Sequence, residues 1–520
     1  MHERNQGTLH VIFFVIASIL TTACASDSRQ LDKVVAFEEV PGPAFEHRWD
    51  ETVHPFSGAA VIDVDGDGKL EVFVGGSNNQ ADALLSYQDG GLKNVIAQTG
   101  LSSLSATYGS ASIDIDNDAD IDLIVARENG LYLYVNNLGK FTARRIPLNL
   151  AEDAVVFGIA ISDIDHDGDA DLYLSVFVDF AAFQSGVFND PKHAKPNIML
   201  LNNGDLSFTD ITESSGTSGK QNSFLSVFTD LDKDGWQDLV VSQNTGEVEI
   251  FRNNQNRTFT AIPSNSGYGF WMGLAVGDID NDGDQDLFFS NVGSSIPEFL
   301  TRGDIQEDQR HNLEWLLLRN EGDFTFTEIT EEFGISGEGF AWGAIFEDLN
   351  LDGRLDLLVA QNYIKWPIHK LFKLSGRSYL QTDQGGKFEH VEALGLENSY
   401  YGQSPISVDL NNDNKLDLLW LNMNGPVRAF LNRSSGKVFQ VKVQEQASLL
   451  GTRVHIVTNA GTSYTKEVMT STGMLTDQSP NLVFGLKDAE KVKQVIISRP
   501  DGSRQIIESP DDSMTLSANN

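Results

Sequence analysis

The chain has 520 residues, with 37 Lys plus Arg against 74 Asp plus Glu and a formal net charge of −37. So acidic a balance excludes a phosphate-backbone partner, which needs basic patches; 40% hydrophobic and 9% aromatic content exclude a disordered chain. Length and 46 glycines point to a loop-rich soluble β protein of more than one domain.

Residues 1–25 read as an export leader. The apolar run Val11–Leu20 is too short for a bilayer but suits a signal-peptide core. Ala23-Cys24-Ala25 has the form of an ordinary cleavage site. Thr22-Ala23-Cys24 instead looks like a lipoprotein box with Cys24 lipidated, although Leu20 sits one position upstream of the usual leucine. Both exits stay open. Either predicts an exported protein: an outer-membrane lipoprotein, or a periplasmic or extracellular one. Cys24 is the sole cysteine, so no disulfide stabilises the mature chain.

Residues 26–436 carry a repeat. An alternating acidic run begins at Asp63, Asp114, Asp163, Asp230, Asp278, Asp348 and Asp409, with spacings of 51, 49, 67, 48, 70 and 61. An aromatic followed by small residues precedes several copies, as in Tyr108-Gly109-Ser110, Phe157-Gly158 and Trp342-Gly343. A short apolar run follows each, and then an Asn-rich turn such as Asn202-Asn203-Gly204. Each unit of about 50 residues reads as strands broken by an acidic loop and an Asn/Gly turn. Four strands per unit, repeated seven times, predict a seven-bladed β-propeller, hence an all-β fold. Phe37–Val40 repeats the pattern of the last strands at Phe208, Phe326 and Phe388, so the N-terminal strand is expected to close the seventh blade.

The acidic loops place oxygen donors at positions 1, 3, 5 and 9 and leave a backbone carbonyl at 7. This is the hard, flexible donor set that calcium takes. The candidate ligands are Asp63, Asp65, Asp67, Lys69 and Glu71; Asp114, Asp116, Asp118, Asp120 and Asp122; Asp163, Asp165, Asp167, Asp169 and Asp171; Asp230, Asp232, Asp234, Trp236 and Asp238; Asp278, Asp280, Asp282, Asp284 and Asp286. The sixth and seventh sets are Asp348, Asn350, Asp352, Arg354 and Asp356, then Asp409, Asn411, Asp413, Lys415 and Asp417; their Asn predicts weaker binding. Lys69, Trp236, Arg354 and Lys415 enter only through their carbonyls. Position 6 needs a positive φ, which Gly68, Gly168, Gly235, Gly283 and Gly353 supply and Asn414 tolerates; Ala119 predicts a distorted second loop. Twenty-nine of the 74 acids sit at the odd positions of these loops, so crowded that they would repel one another unless a cation neutralised them; up to seven Ca2+ are expected, one per blade.

Residues 437–520 alternate apolar and polar positions over short strands, as in Arg453–Val457 and Gln494–Ser498, and predict a small β-rich domain docked on the propeller. No catalytic motif appears in it.

These repeats resemble the FG-GAP/VCBS repeats of integrin-α-type propellers, and more specifically bacterial relatives of cartilage acidic protein. Residues 437–518 resemble an ASPIC/UnbV domain on Leu450–Val454, Lys466–Val468, Ser479–Leu486 and Ile497–Gly502. The resemblance implies an exported, calcium-stabilised interaction protein and supplies no catalytic residues. The cysteine-rich calcium-binding module of the animal relatives has no counterpart in this sequence, which argues against a matrix-type role.

Three long spacings place insertions at about 176–198, 293–314 and 361–379, at the strand ends opposite the acidic loops. Insertions gathered on one face often mark a binding side. Phe180, Arg310, Tyr363 and Trp366 are the candidate contacts to a protein or glycan ligand; the alternative is that the aromatics pack each insertion on its own blade. The function expected is a binding or adhesion module and not an enzyme, since no H-E-x-x-H, G-x-S-x-G or phosphate loop occurs. The alternatives are an envelope scaffold, or a polysaccharide-active enzyme with a carboxylate site. No nucleic acid is expected as partner, and a membrane only through the lipid anchor.

Overall fold

The strand that follows each acidic loop opens on the ninth-position acid and runs straight into apolar residues: Asp122–Arg127, Asp171–Val178, Asp356–Gln361 and Asp417–Asn422 are buried throughout. A strand without a polar face must be covered on both sides, and the repeat sheets cover one another. The computed structural model describes residues 37–518, apart from position 43 and segments 186–192, 220–221, 294–307, 363–375, 382–385 and 488–489. Cys24, Tyr363 and Trp366 lie outside the described residues.

The fold is all-β, and seven repeat sheets, numbered 1 to 7 in chain order by the acidic loop each carries, each contain a four-strand antiparallel run. Sheet 2 shows the plan: Thr107–Ile113, Asp122–Arg127, Gly130–Val135 and Thr142–Ile146 in that spatial order. In sheet 7 the fourth strand is Phe37–Glu39, which pairs antiparallel with Arg428–Asn432.

The first strands are rich in Gly, Ser and Ala because neighbouring sheets meet there at backbone distance. A Cβ on Gly109 would lie 2.0 Å from Phe157 O, and one on Gly343 2.8 Å from Gln403 O. Serine hydroxyls link successive first strands: Ser112 Oγ donates to Val61 O (2.8 Å), and Ser407 Oγ to Glu347 Oε1 (2.9 Å). Sheet 7 returns to sheet 1 through Ser57 N to Gln403 Oε1 (2.9 Å) and Gln403 Nε2 to Ser57 O (2.7 Å).

The C-terminal region forms two further sheets. Lys437–Val443 pairs with Leu482–Leu486 and Ser513–Leu516, while Arg453–Thr458 lies between Ser463–Glu467 and Val492–Ser498, with Arg504–Glu508 at the edge. One core runs from sheets 2 and 3 into this domain, joining Ile115 and Leu172 to Phe439, Leu449 and Val454. A two-residue strand, Thr476–Asp477, pairs in parallel with the first strand of sheet 1, Ala59–Ile62.

Candidate metal sites

The acids of each loop are first of all hydrogen-bond acceptors that fold the loop on itself. In the second loop Asp114 accepts from the N–H groups of Asp118 and Ala119, both at 3.0 Å, and Asp118 accepts from Asp120 N (2.9 Å). Asp122 at position 9 accepts from Ile115 N (3.0 Å) and from Asn136 N (2.6 Å). The same bonds recur at Asp163, Asp230, Asp278, Asp348 and Asp409. The side chains therefore turn inward, and in five loops three carboxylates offer ligand atoms within 4.8 Å of one another: Asp63, Asp65 and Asp67; Asp114, Asp116 and Asp122; Asp163, Asp165 and Asp171; Asp230, Asp232 and Asp234; Asp278, Asp280 and Asp282. The sixth and seventh loops put amides among their acids, with Asn350 Nδ2 on Asp352 Oδ2 (3.1 Å) and Asn411 Nδ2 on Asp413 Oδ2 (3.3 Å).

Ala119 corrects an expectation. It adopts φ +76° and donates to Asp114 as glycine does at position 6 elsewhere, so the loop is strained and not distorted. The strain costs about 1–2 kcal/mol. Position 4 is also left-handed, at Gly66, Asn117, His166, Lys233, Asn281, Leu351 and Asn412; only the Gly and Asn among them signal it in sequence.

Burial and mutual repulsion set the electrostatics. Burial first, then neighbouring carboxylates, raise Asp163 and Asp230 to about 6, Asp278 to about 7, and Asp171 and Asp286 to about 8. Asp63 Oδ1 and Asp165 Oδ1 are buried without a hydrogen-bond partner. Orphaned oxygens inside a cluster of hard donors fit a divalent cation. Protein cations neutralise part of the charge: Lys69 reaches Asp67 (2.5 Å), Arg252 Asp232 (2.9 Å), Arg257 Asp165 (2.5 Å) and Lys233 Asp284 (2.7 Å).

The position-7 side chains engage neighbours. Arg354 pairs with Asp352, Lys415 Nζ donates to Ser434 O (2.6 Å), and Trp236 stacks on His166 at 3.6 Å between ring centres. The Asn of the turns does more than turn the chain: Asn136, Asn253, Asn320 and Asn432 donate Nδ2 to a carbonyl in another sheet's acidic loop, at Val64, Ile164, Leu231 and Leu349. Gln381 does the same to Ile279 O (2.8 Å). These clasps tie loop to loop.

The C-terminal domain covers this side of the sheets. A cavity of about 260 Å³ between them is lined by Asp63, Asp114 and Asp120 from the loops and by Lys442, Glu445 and Asn481 from the domain. At the other end of the sheets, Phe180 opens the short helix Phe180–Ser185 and is only 3% exposed, its ring against Trp49 and His54. The ring is core, which corrects its reading as a partner contact. Arg310 is exposed, with its carbonyl accepting from Tyr268 N (2.8 Å).

The FG-GAP-like repeat family matches residues 63–125, 114–174, 230–289 and 296–359, and the ASPIC and UnbV family matches residues 442–518. Cartilage acidic protein 1 of Homo sapiens is 23% identical over 326 residues, covering 58% of this chain and 47% of its own length. The Xenopus tropicalis protein of that name is 24% identical over 380 residues, covering 65% and 51%. The chain thus spans about half the length of the curated relatives it matches. Among solved structures, rhamnogalacturonan lyase YesW aligns with a TM-score of 0.41 at 12% identity, over 76% of this chain and 75% of its own.

Proposed function

We propose that this chain, which carries FG-GAP-like repeats and an ASPIC and UnbV domain, is an exported, calcium-loaded β-propeller that binds a protein or glycan partner. One observation carries the calcium: five carboxylate triads converge within 4.8 Å, two of them with a buried oxygen that nothing else satisfies. Magnesium demands a stricter octahedron and keeps its waters, whereas flexible loops of alternating acids suit calcium's six to eight oxygens. When bound, the ion supplies the positive charge that lets these acids ionise together.

Calcium here is structural, and the chain is read as a non-enzyme. An exported protein without a disulfide gains from the ions the cross-links it lacks. The partner surface is assigned to the strand ends away from the acidic loops, because the C-terminal domain covers the loops themselves. Arg310 lies there, and Tyr363 and Trp366 belong to the same group of insertions. The reading is tested by binding of the mature chain to isolated envelope polymers in calcium and in EGTA, beside calorimetric counting of calcium. Saturable binding that R310A, Y363A and W366A weaken supports it; no binding to any polymer in calcium overturns the partner reading.

A further inference from the structure

Residues 467–477 leave the sheets of the C-terminal domain and run among the first strands of the repeat sheets. Ser471 Oγ donates to Ile159 O in sheet 3 (2.5 Å), and Gly473 exchanges two main-chain bonds with Leu274 in sheet 5 (2.9 and 3.1 Å). Met474 N donates to Ser404 Oγ in sheet 7 (3.1 Å), and Asp477 accepts from Ser112 N in sheet 2 (2.9 Å). The Thr476–Asp477 strand lies on sheet 1, and a Cβ on Gly343 of sheet 6 would come 3.0 Å from Met474 Cβ. Glu467 reaches sheet 4, accepting from Asp230 N (3.1 Å), Thr229 Oγ1 (3.1 Å) and Gln237 Nε2 (3.1 Å). One segment thus touches every repeat sheet.

It brings like charge with it. Glu467 is 4% exposed and sits on the first residue of the fourth acidic loop. Asp477 and Glu445 both accept from Ser112, two residues before the second loop, and Glu445 O accepts from Asp114 N (2.9 Å). The domain's cations at this face offset part of that charge: Arg453 donates to Gly283 O in the fifth loop, Lys466 pairs with Glu347 (3.3 Å) just before the sixth, and Lys442 lines the cavity over the first two. Seating the domain still brings Glu467, Glu445 and Asp477 up to the carboxylate-lined fourth and second loops. A divalent cation in those loops weakens this repulsion, since its two positive charges offset half of the four acids of the fourth loop.

We propose that cation loading of the acidic loops and seating of residues 467–477 are coupled, so that the C-terminal domain is a plug which calcium locks into the ring and calcium depletion releases. The proposal rests on the calcium reading above. Coupling is reciprocal: the seated plug raises the loops' calcium affinity by the same factor by which calcium favours seating.

The test is amide hydrogen exchange on the full chain in calcium and in EGTA, following residues 471–477 beside the strand Asp238–Gly246, with calcium binding measured separately by calorimetry. Exchange at 471–477 at least tenfold faster in EGTA, with the strand still protected, is the expected result. Unchanged protection while calorimetry shows calcium binding overturns the coupling alone. Loss of protection in both segments together also overturns it, because the ring then melts as one. Absence of calcium binding overturns the reading beneath it. E467Q shrinks the EGTA effect at least threefold; an undiminished effect overturns the charge argument.

Discussion

Gly485 of the C-terminal domain lies directly on the carboxylate of Asp348: a Cβ at 485 would stand 1.9 Å from Asp348 Oδ2 and 2.7 Å from the main chain of Leu351. No side-chain rotation relieves a clash with backbone. G485V should therefore lift the domain from the sixth loop and cost about 1–3 kcal/mol, the usual range for overpacking. Thermal unfolding checks it; a melting temperature equal to the wild type's would show that the domain does not sit there.

Calcium removal should lower the melting temperature strongly. With a dissociation constant of about 10⁻⁴ M and ~1 mM free calcium, each site adds roughly 1.4 kcal/mol. Five such sites contribute about 7 kcal/mol, a large share of a folded protein's stability but not all of it, so the sheets stay folded in EGTA and melt at lower temperature. Calorimetric scans in calcium and in EGTA decide the matter, and coincident scans would refute a structural role for the ion.

The pH dependence should change sign with the metal. Without calcium, folding raises the buried carboxylates, Asp163 and Asp230 to about 6 and Asp171 and Asp286 to about 8. A raised folded pKa gives stability that is present below the unfolded value near 4 and lost as pH climbs through the folded values. In EGTA the protein should thus be more stable at pH 5 than at pH 8. In calcium the ionised loops bind the ion, so stability should rise over the same interval. Melting curves at the two pH values in both buffers give the four numbers needed.

Loss of one clasp should be felt across two sheets. Asn320 donates to Leu231 O (2.9 Å) and accepts from Gly322 N (3.0 Å). N320A leaves a buried carbonyl without its donor, which costs about 1–3 kcal/mol. Chemical denaturation measures it, and a loss below about 0.5 kcal/mol, the size of an ordinary surface change, would mean the clasp is replaced by water.

Each triad should behave as one site. D278N keeps one of the two acceptors that Asp282 N and Gly283 N use, at 3.0 and 2.9 Å on separate oxygens, and removes a charge and an oxygen from the donor set. Titration calorimetry should count one calcium fewer; an unchanged count would assign the ion elsewhere.

What lies within one repeat was legible before any coordinates. The alternation of Asp with small residues dictates a tight loop because each acid can reach a main-chain N–H a few positions on, and the apolar runs after position 9 dictate buried strands. The Gly at position 6 announced its positive φ; His166, Lys233 and Leu351 at position 4 did not, since the loop's own hydrogen bonds impose φ +57° to +61° on residues that do not favour it. Relations between repeats were decided by tertiary structure alone. That Phe180 is core follows from Trp49 and His54, over a hundred residues away in the chain. The Asn clasps looked like turns because their acceptors belong to other sheets. Residues 467–477 have no period that marks them as a plug: Ser, Thr and Gly there suit a close fit among first strands, and only the assembled ring creates that space. Local hydrogen bonding and hydrophobic pattern act over a few residues, and a sequence displays them; the meeting of seven first strands with one distant segment exists only once the chain has closed on itself.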